Sequence, residues 1–207
     1  MDTDTGTAQK TVLYDRHCAL GAKITTFGGF LMPLQYESIL TEHTTTRTAV
    51  SVFDTCHMGE FFISGESSVD DLEKVLSAPV GSIKIGSCRY GFLCNPEGGV
   101  IDDQILYRLG EKEFMMVVNA GTQANDFAWI QKNISDNTTL ENRSEQTAKL
   151  DVQGPDSPQI VQRLVEEKID ELKYYRFHAN RYRGTDIIIS RTGYTGEIGF
   201  EFYCPVE

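Results

Sequence analysis

The sequence of 207 residues predicts an α+β fold, with antiparallel sheets and flanking helices. Three observations carry this. Strand-like runs come as adjacent pairs joined by short glycine-bearing turns, at 88–94 with 100–109 and at 174–183 with 186–191. Runs with helical period fall between those pairs, and not after every strand as a doubly wound sheet requires. The glycine spacings of a nucleotide-binding fold are missing: no GxGxxG joins strand to helix, and no GxxxxGK[ST] occurs.

Taken in order, residues 1–10 are acidic and polar and are expected to be disordered. Residues 11–20 read as a short helix stopped by Gly21. A strand follows at 23–27, turned by Gly28-Gly29 into a greasy, irregular stretch at 30–36. The pattern then predicts a helix over about 38–48 and a short strand over 50–53. Residues 58–64 read as a strand, and Ser67 or Ser68 caps a helix with the apolar stripe Val69, Leu72, Val75 and Leu76. Residues 88–94 and 100–109 flank a five-residue loop, 95–99, as a hairpin. A third strand covers 113–119. A helix over about 123–134 turns Ala124, Phe127 and Ile130 inward. The polar stretch 133–146, with its three Asn-X-Ser/Thr sequons at Asn133, Asn137 and Asn142, reads as a loop. After a strand at 149–153, Ser157 as N-cap and Pro158 at the first helical position open a helix that buries Ile160, Val161, Leu164 and Val165. Gly184 turns the last hairpin. Glycines 193, 196 and 199 mark a tight loop where backbone approaches backbone or ligand closely.

Composition narrows the function classes. A formal net charge of −11 argues against a nucleic-acid partner or an anionic membrane surface. No run has the apolar core of a signal peptide or the length of a membrane span. The five cysteines are scattered without CxxC spacing, as expected of reduced thiols in a cytosol-like compartment. The four histidines show no recognised ligand spacing, so no metal is expected. Cys56-His57 is a weak nucleophile pair, because adjacent side chains on a strand point to opposite faces. GxSxG is absent.

The stretch that organises the chain is GGVIDDQILY, residues 98–107. Alternation puts Ile101, Asp103, Ile105, Tyr107 and Leu109 on one face and Asp102, Gln104 and Arg108 on the other, with Leu106 as the exception. Asp103 thereby stands in an apolar and aromatic row. Such a carboxylate is a satisfied core Asp, is turned out by a bulge, or serves as an acid in a pocket. With Tyr90, Tyr107, Tyr194, Glu197 and Glu201 it forms a set of acids and tyrosines. Ordinary packing explains the tyrosines; the same set suits a flat, nitrogen-rich heterocycle, stacked on Tyr and held by a carboxylate.

The stretches LYDRHCALGAKITTFGGFLMPLQY, FDTCHMGEF, GGVIDDQILYR, VVNAGTQANDFAWI, VQGP and SRTGYTGEIGFE, in this order, resemble the aminomethyltransferase (T-protein) family of the glycine cleavage system and its folate-dependent relatives. The resemblance implies the aminomethyltransferase folate-binding fold. A discontinuous antiparallel-sheet domain covers 1–55 and 145–207, incomplete here. An inserted α+β domain, 56–144, carries the IDD hairpin, and the family's C-terminal barrel-like domain is absent. It implies tetrahydrofolate in a central channel as one-carbon acceptor. The partner is a lipoylated H-protein that delivers the aminomethyl group, and the products are 5,10-methylenetetrahydrofolate, ammonia and the dihydrolipoyl arm. Asp103 becomes the catalytic acid. Glu201 is similar to the pterin-recognising carboxylate, and Tyr90, Tyr107, Asn119, Tyr194 and Met58 match positions lining the folate site.

Departures are Gly28-Gly29-Phe30, where the family has His-Gly-Trp, and Thr55-Cys56, where it has Val-Ser. The arginine-bearing GxxARDxLRLE-type segment is also absent, so poor activity is expected of this chain alone. Relatives that demethylate another donor share the folate site. A non-catalytic scaffold branch carries a KGCYxGQE-type stretch; GYTGEIGFE has no Cys, which favours the enzyme. The implied residence is a bacterial cytoplasm or a mitochondrial matrix.

Overall fold

The computed structural model describes residues 8–206, which divide into two units. The first runs to His57 and resumes with Ala148–Tyr174 and the residues from His178 onward; the second is Met58–Thr147 with Tyr175–Phe177.

The first unit opens with β1 (Gln9–Lys10), α1 (Tyr14–Ala19), β2 (Lys23–Phe27) and β3 (Phe30–Gln35). β1 falls inside the segment expected to be disordered, yet it pairs in parallel with β3; residues 1–7 of that expectation lie outside the described residues. The stretch at 30–36, expected to be irregular, is the return strand of a hairpin, with Phe27 paired to Phe30. Gly28 and Gly29 both take positive φ, 56° and 85°, which gives the two-residue turn a twist that matches its strands. Next come α2 (Ile39–Thr48), capped by Ser38 Oγ accepting from Thr41 N at 3.1 Å, and β4 (Ser51–Asp54).

The second unit holds β5 (Gly59–Ser64), α3 (Ser68–Val75), β6 (Ser87–Cys94), β7 (Val100–Arg108), β8 (Glu113–Val118), α4 (Gln123–Asn133) and β9 (Thr139–Asn142). β9 lies in the stretch expected to be loop. The sheet order is β6-β7-β8-β5-β9, and each neighbouring pair in it is antiparallel. The 95–99 loop closes the β6-β7 hairpin, with Asn95 Oδ1 accepting from Gly99 N at 2.7 Å. One face of the sheet packs Phe61, Ile63, Leu106, Phe114 and Met116 against Leu72 and Val75 of α3 and Ile130 of α4. This explains Leu106, the exception to the expected alternation: the helix-packed face is the one opposite Asp103, Ile105 and Tyr107. On α4 the inward residues are Asp126, Phe127 and Ile130; Ala124, expected inside, is exposed.

The chain returns to the first unit with β10 (Thr147–Gln153), α5 (Ser157–Leu164), β11 (Phe177–Tyr182), β12 (Thr185–Ser190) and β13 (Gly199–Pro205), of which only the end residues Thr147 and Phe177 belong to the second unit. The N-cap of α5 is Asp156, one residue earlier than expected, and Leu164 is exposed. Sheet order is β11-β12-β13-β10-β4. Val152, Ile187, Ile189, Phe200 and Phe202 form a core with Val161 of α5. Side chains alternate along a strand, so Lys149, Asp151, Gln153 and Glu201 fall on the opposite face, and all four are buried. Among the described residues no helix is long and apolar enough to cross a membrane, and no group of three or more His, Cys, Asp or Glu is placed to hold a metal ion.

Candidate functional site

In the second unit, the start of β7 and the end of β8 build a cluster of acids. Asp103 is half-buried, and its Oδ1 accepts from Asn119 Nδ2 at 2.8 Å. Phe92 of β6 sits directly across from it. Tyr90, two residues before Phe92, shares that face and meets the Phe92 ring edge-on at 5.5 Å. Burial, then a hydrogen bond to Asp103 and its charge, push the Tyr90 phenol above its ordinary pKa. Tyr90 keeps 46% of its surface exposed, so this corner has an open side. Further along the same face Tyr107 is fully buried, 5.2 Å from the Phe177 ring.

Asp102 points to the helix side. Its Oδ1 accepts from Asn119 Nδ2 at 2.9 Å and its Oδ2 from Thr122 Oγ1. Burial opposes its charge, but these bonds outweigh burial and hold its carboxyl below the usual range. Beside it, Asp126 of α4 is fully buried. Burial, then the hydrogen bond and charge of Asp102, push Asp126 up to about 7.

The first unit holds a second polar cluster, on β10 and β13. Lys149 Nζ donates to Glu201 Oε1 at 2.7 Å and to Asp151 Oδ1 at 2.8 Å, with its side chain 0% exposed. Glu201 Oε2 also accepts from Thr192 Oγ1 and, at 3.1 Å, from Tyr203 Oη. Thr55 Oγ1 donates to Asp151 Oδ1 at 3.0 Å. Burial opposes the charge on Lys149; Glu201 and then Asp151 outweigh it and raise its pKa. Two carboxylates share one ammonium, so each also feels the other's charge. Burial, together with the repulsion of Glu201, pushes the Asp151 carboxyl up against the pull of Lys149.

A third network in the same unit surrounds Asp54. His17 Nε2 lies 2.8 Å from Asp54 Oδ2, His17 Nδ1 lies 2.7 Å from Tyr36 Oη, and Thr11 Oγ1 donates to Asp54 Oδ2 at 2.6 Å. Burial opposes ionisation of Asp54; His17, Thr11 and Cys56 overcome it and keep the carboxyl below its usual range. A cavity of about 570 Å³ is bordered by Tyr36, His43, Arg47, Asp54 and Tyr194. The glycine loop closes against Gln153: a Cβ on Gly193 or Gly199 would lie 2.2 Å from that side chain.

A family model described as the GCVT N-terminal domain matches residues 13–207. The chain belongs to that family. Aminomethyltransferases of Pseudothermotoga lettingae and Halothermothrix orenii are similar to it, at 45% identity over 197 residues and 40% over 195. These alignments cover 95% and 94% of this chain but 54% and 55% of the relatives, so the chain spans about half their length. The crystal structure of the glycine cleavage system aminomethyltransferase T from Bartonella henselae superposes with a TM-score of 0.88 at 34% identity, covering 96% of this chain and 54% of that one. A heterotetrameric sarcosine oxidase from Corynebacterium shares the fold alone, with a TM-score of 0.58 at 12% identity over 81% of this chain and 83% of that one.

Within this GCVT domain, then, the residues singled out from sequence fall into two groups. Asp103, Tyr90 and Asn119 meet at one corner of the second unit, with Tyr107 deeper on the same face and Met58 buried just before β5. Glu201 and Tyr194 belong to the first unit, where Lys149 Nζ lies 5.3 Å from the Tyr194 ring centre. The partners that sequence reasoning missed are Asp102, Thr122 and Asp126 around Asn119, and Lys149, Asp151 and Thr192 around Glu201. The available signal was the strand alternation of KLDVQ and GFEFY, which sets Lys149, Asp151 and Glu201 on faces that could meet.

Proposed function

We propose that the chain serves tetrahydrofolate-dependent aminomethyl transfer in glycine cleavage. The aminomethyl carbon, carried on the lipoyl arm of H-protein, passes to tetrahydrofolate; ammonia leaves and the arm is left as dihydrolipoyl thiol. Asp103 orients or deprotonates the reacting folate nitrogen, and Tyr90 and Asn119 hold its carboxylate. The observation that carries this reading is the half-buried Asp103 carboxylate, fixed by Asn119 beside the exposed Tyr90, in a chain that its aminomethyltransferase relatives match over nearly its whole length. A fixed acid in a partly water-excluded corner interacts more strongly with a folate nitrogen than one in bulk water.

Glu201 would recognise the pterin, and the geometry adds a condition. Its carboxylate is already bonded by Lys149, Thr192 and Tyr203, so a pterin N–H pair must displace one of them. The Tyr203 bond, at 3.1 Å, is the longer of the two from Lys149 and Tyr203 and is expected to exchange first. Tyr107, Tyr194 and Met58 would line the folate site.

The test is aminomethyl transfer from aminomethyl-lipoyl H-protein to tetrahydrofolate. It is run with residues 1–207 and with the same residues joined to the C-terminal portion of a full-length relative. The joined form is expected to turn over, and residues 1–207 alone to turn over poorly. In the joined form Asp103→Asn should lower turnover by roughly 10²–10⁴-fold, the usual contribution of a positioned acid or base, while part of the folate binding survives. Full activity in Asp103→Asn would remove the assignment. Turnover only with sarcosine or dimethylglycine would keep the acceptor and replace the donor.

A further inference from the structure

Asp126 is the one carboxylic side chain of the second unit's acid cluster that has no donor in the ordinary sense. It is fully buried, and neither carboxyl oxygen has a hydrogen bond of ordinary geometry, since the neighbouring Thr122 hydroxyl donates to Asp102 Oδ2 instead. Its backbone N–H donates to the Thr122 carbonyl at 2.9 Å, so the two carboxyl groups meet around one residue, and Asp102 acts on Asp126. A bond between two carboxyl groups requires a proton that neither carries when both are ionised.

Which of the two keeps the proton follows from their surroundings. Asp102 is half-buried and accepts from Asn119 Nδ2 at 2.9 Å and from Thr122 Oγ1. Donors of this kind favour its charged form. Asp126 faces Asp102 and, at longer range, Asp103, both from β7, and Thr122 at the start of its own helix. Burial next to two carboxylates favours the neutral acid, and the upward shift of its pKa is in keeping with that. Asn119 links this pair to Asp103. Its Nδ2 donates both to Asp102 Oδ1 at 2.9 Å and to Asp103 Oδ1 at 2.8 Å, so each amide hydrogen has its own carboxylate.

We propose that Asp126 is a positioning residue that shares a proton with Asp102, and that this shared proton, through the Asn119 amide, sets the orientation of the Asp103 carboxylate. The chain of contacts runs from the Asp126 O–H to Asp102, from Asp102 to one Asn119 N–H, and from the other Asn119 N–H to Asp103. If Asp126 ionises, two like charges face each other and Asp102 is pushed away, which frees the Asn119 amide to turn. That Asp103 does chemistry rests on the function proposed above; the shared proton does not. The test below reads the proton without any turnover, so the two can fail separately.

The experiment is infrared difference spectroscopy and side-chain amide NMR of residues 1–207 between pH 5 and pH 9. The wild type should show a protonated carboxyl carbonyl band that is lost as pH rises through about 7. Asp126→Asn should lack that band, while a second, lower-titrating band from Asp151 remains and disappears in Asp151→Asn. The Asn119 side-chain N–H pair should shift with the same midpoint in the wild type. It should be pH-independent in Asp126→Asn, whose amide keeps a donor on Asp102, and displaced at all pH values in Asp126→Leu. Identical carboxyl bands in wild type and Asp126→Asn would overturn the proposal, as would an Asn119 signal indifferent to pH in the wild type. The wild-type titration of Asn119 decides the matter even if both variants fail to fold.

Discussion

Replacing Lys149 with methionine tests how much of the first unit rests on one buried cation. The ammonium lies 2.7 Å from Glu201 and 2.8 Å from Asp151, with no exposed surface. Methionine keeps most of the stem volume, so the packing loss is below about 1.5 kcal/mol. The electrostatic loss dominates, because two buried carboxylates are left without their counter-ion. Removing one member of a buried ion pair costs about 3–5 kcal/mol. Thr192 and Tyr203 still bond Glu201 and Thr55 still bonds Asp151, which sets the expectation near the lower end, about 3 kcal/mol at pH 8.

The loss must depend on pH, and its sign is fixed. Without the cation, the pull that opposes burial is gone, and the Asp151 carboxyl rises further above its unfolded value. The folded variant then binds more protons than the unfolded one, so its stability falls as pH rises from 5 to 8. A tenfold change in proton affinity corresponds to about 1.4 kcal/mol. Urea unfolding followed by circular dichroism measures it: at a slope of roughly 2 kcal/mol per molar, the midpoint should drop by about 1.5 M at pH 8 and clearly less at pH 5. The double variant Lys149→Met/Glu201→Gln should lose less than the sum of the two single changes. A midpoint shift below about 0.5 M at pH 8, or equal shifts at both pH values, would show that the three charges are not coupled as described.

Asp71 gives a complementary acid-side prediction. It is buried and accepts from Ser135 N and Oγ, from Thr138 Oγ1 and from Lys74. Burial opposes its charge, but Lys74, Thr138 and Ser135 overcome it and hold its carboxyl well below the ordinary range. Its contribution is therefore present above pH 4 and lost as pH falls below that; Asp71→Ala should cost about 2–4 kcal/mol at pH 7, and acid titrations of wild type and variant should converge toward pH 2. A constant gap down to pH 2 would contradict this. Gly199→Ala would place a Cβ 2.2 Å from Gln153 Oε1, a side chain that is itself buried and bonded to the Thr192 carbonyl and to Thr195. A loss of about 1–3 kcal/mol is expected in thermal melts, as for overpacking elsewhere, with part of it regained in Gly199→Ala/Gln153→Ala.

The sequence by itself determined the α+β class, both hairpins with their turns at 95–99 and 183–184, and the shared face of Asp103, Ile105 and Tyr107. These follow from strand alternation and from glycine conformations, which are local properties of the chain. It also carried, through the order of its motifs, the family to which the chain belongs. It did not determine which face of β7 is packed by helices. That depended on α3 and α4, which pack on Leu106 and Met116 and leave the Asp103 face to Tyr90 and Phe92.

Nor could alternation show that the polar side of KLDVQ is as dry as its apolar side. A lysine, an aspartate and a glutamine in alternate positions read as a solvated face, yet Lys149, Asp151 and Gln153 are all buried. They tolerate burial because Glu201, on a strand some fifty residues later, supplies the opposite charge. Asp126 follows the same logic, since the helical period places it inward but only Asp102, from another element, makes a carboxyl tolerable there. Spacing along the chain decides which side chains share a face. What each face meets is decided by residues distant in sequence, and the free energy of a buried charge depends almost wholly on those neighbours.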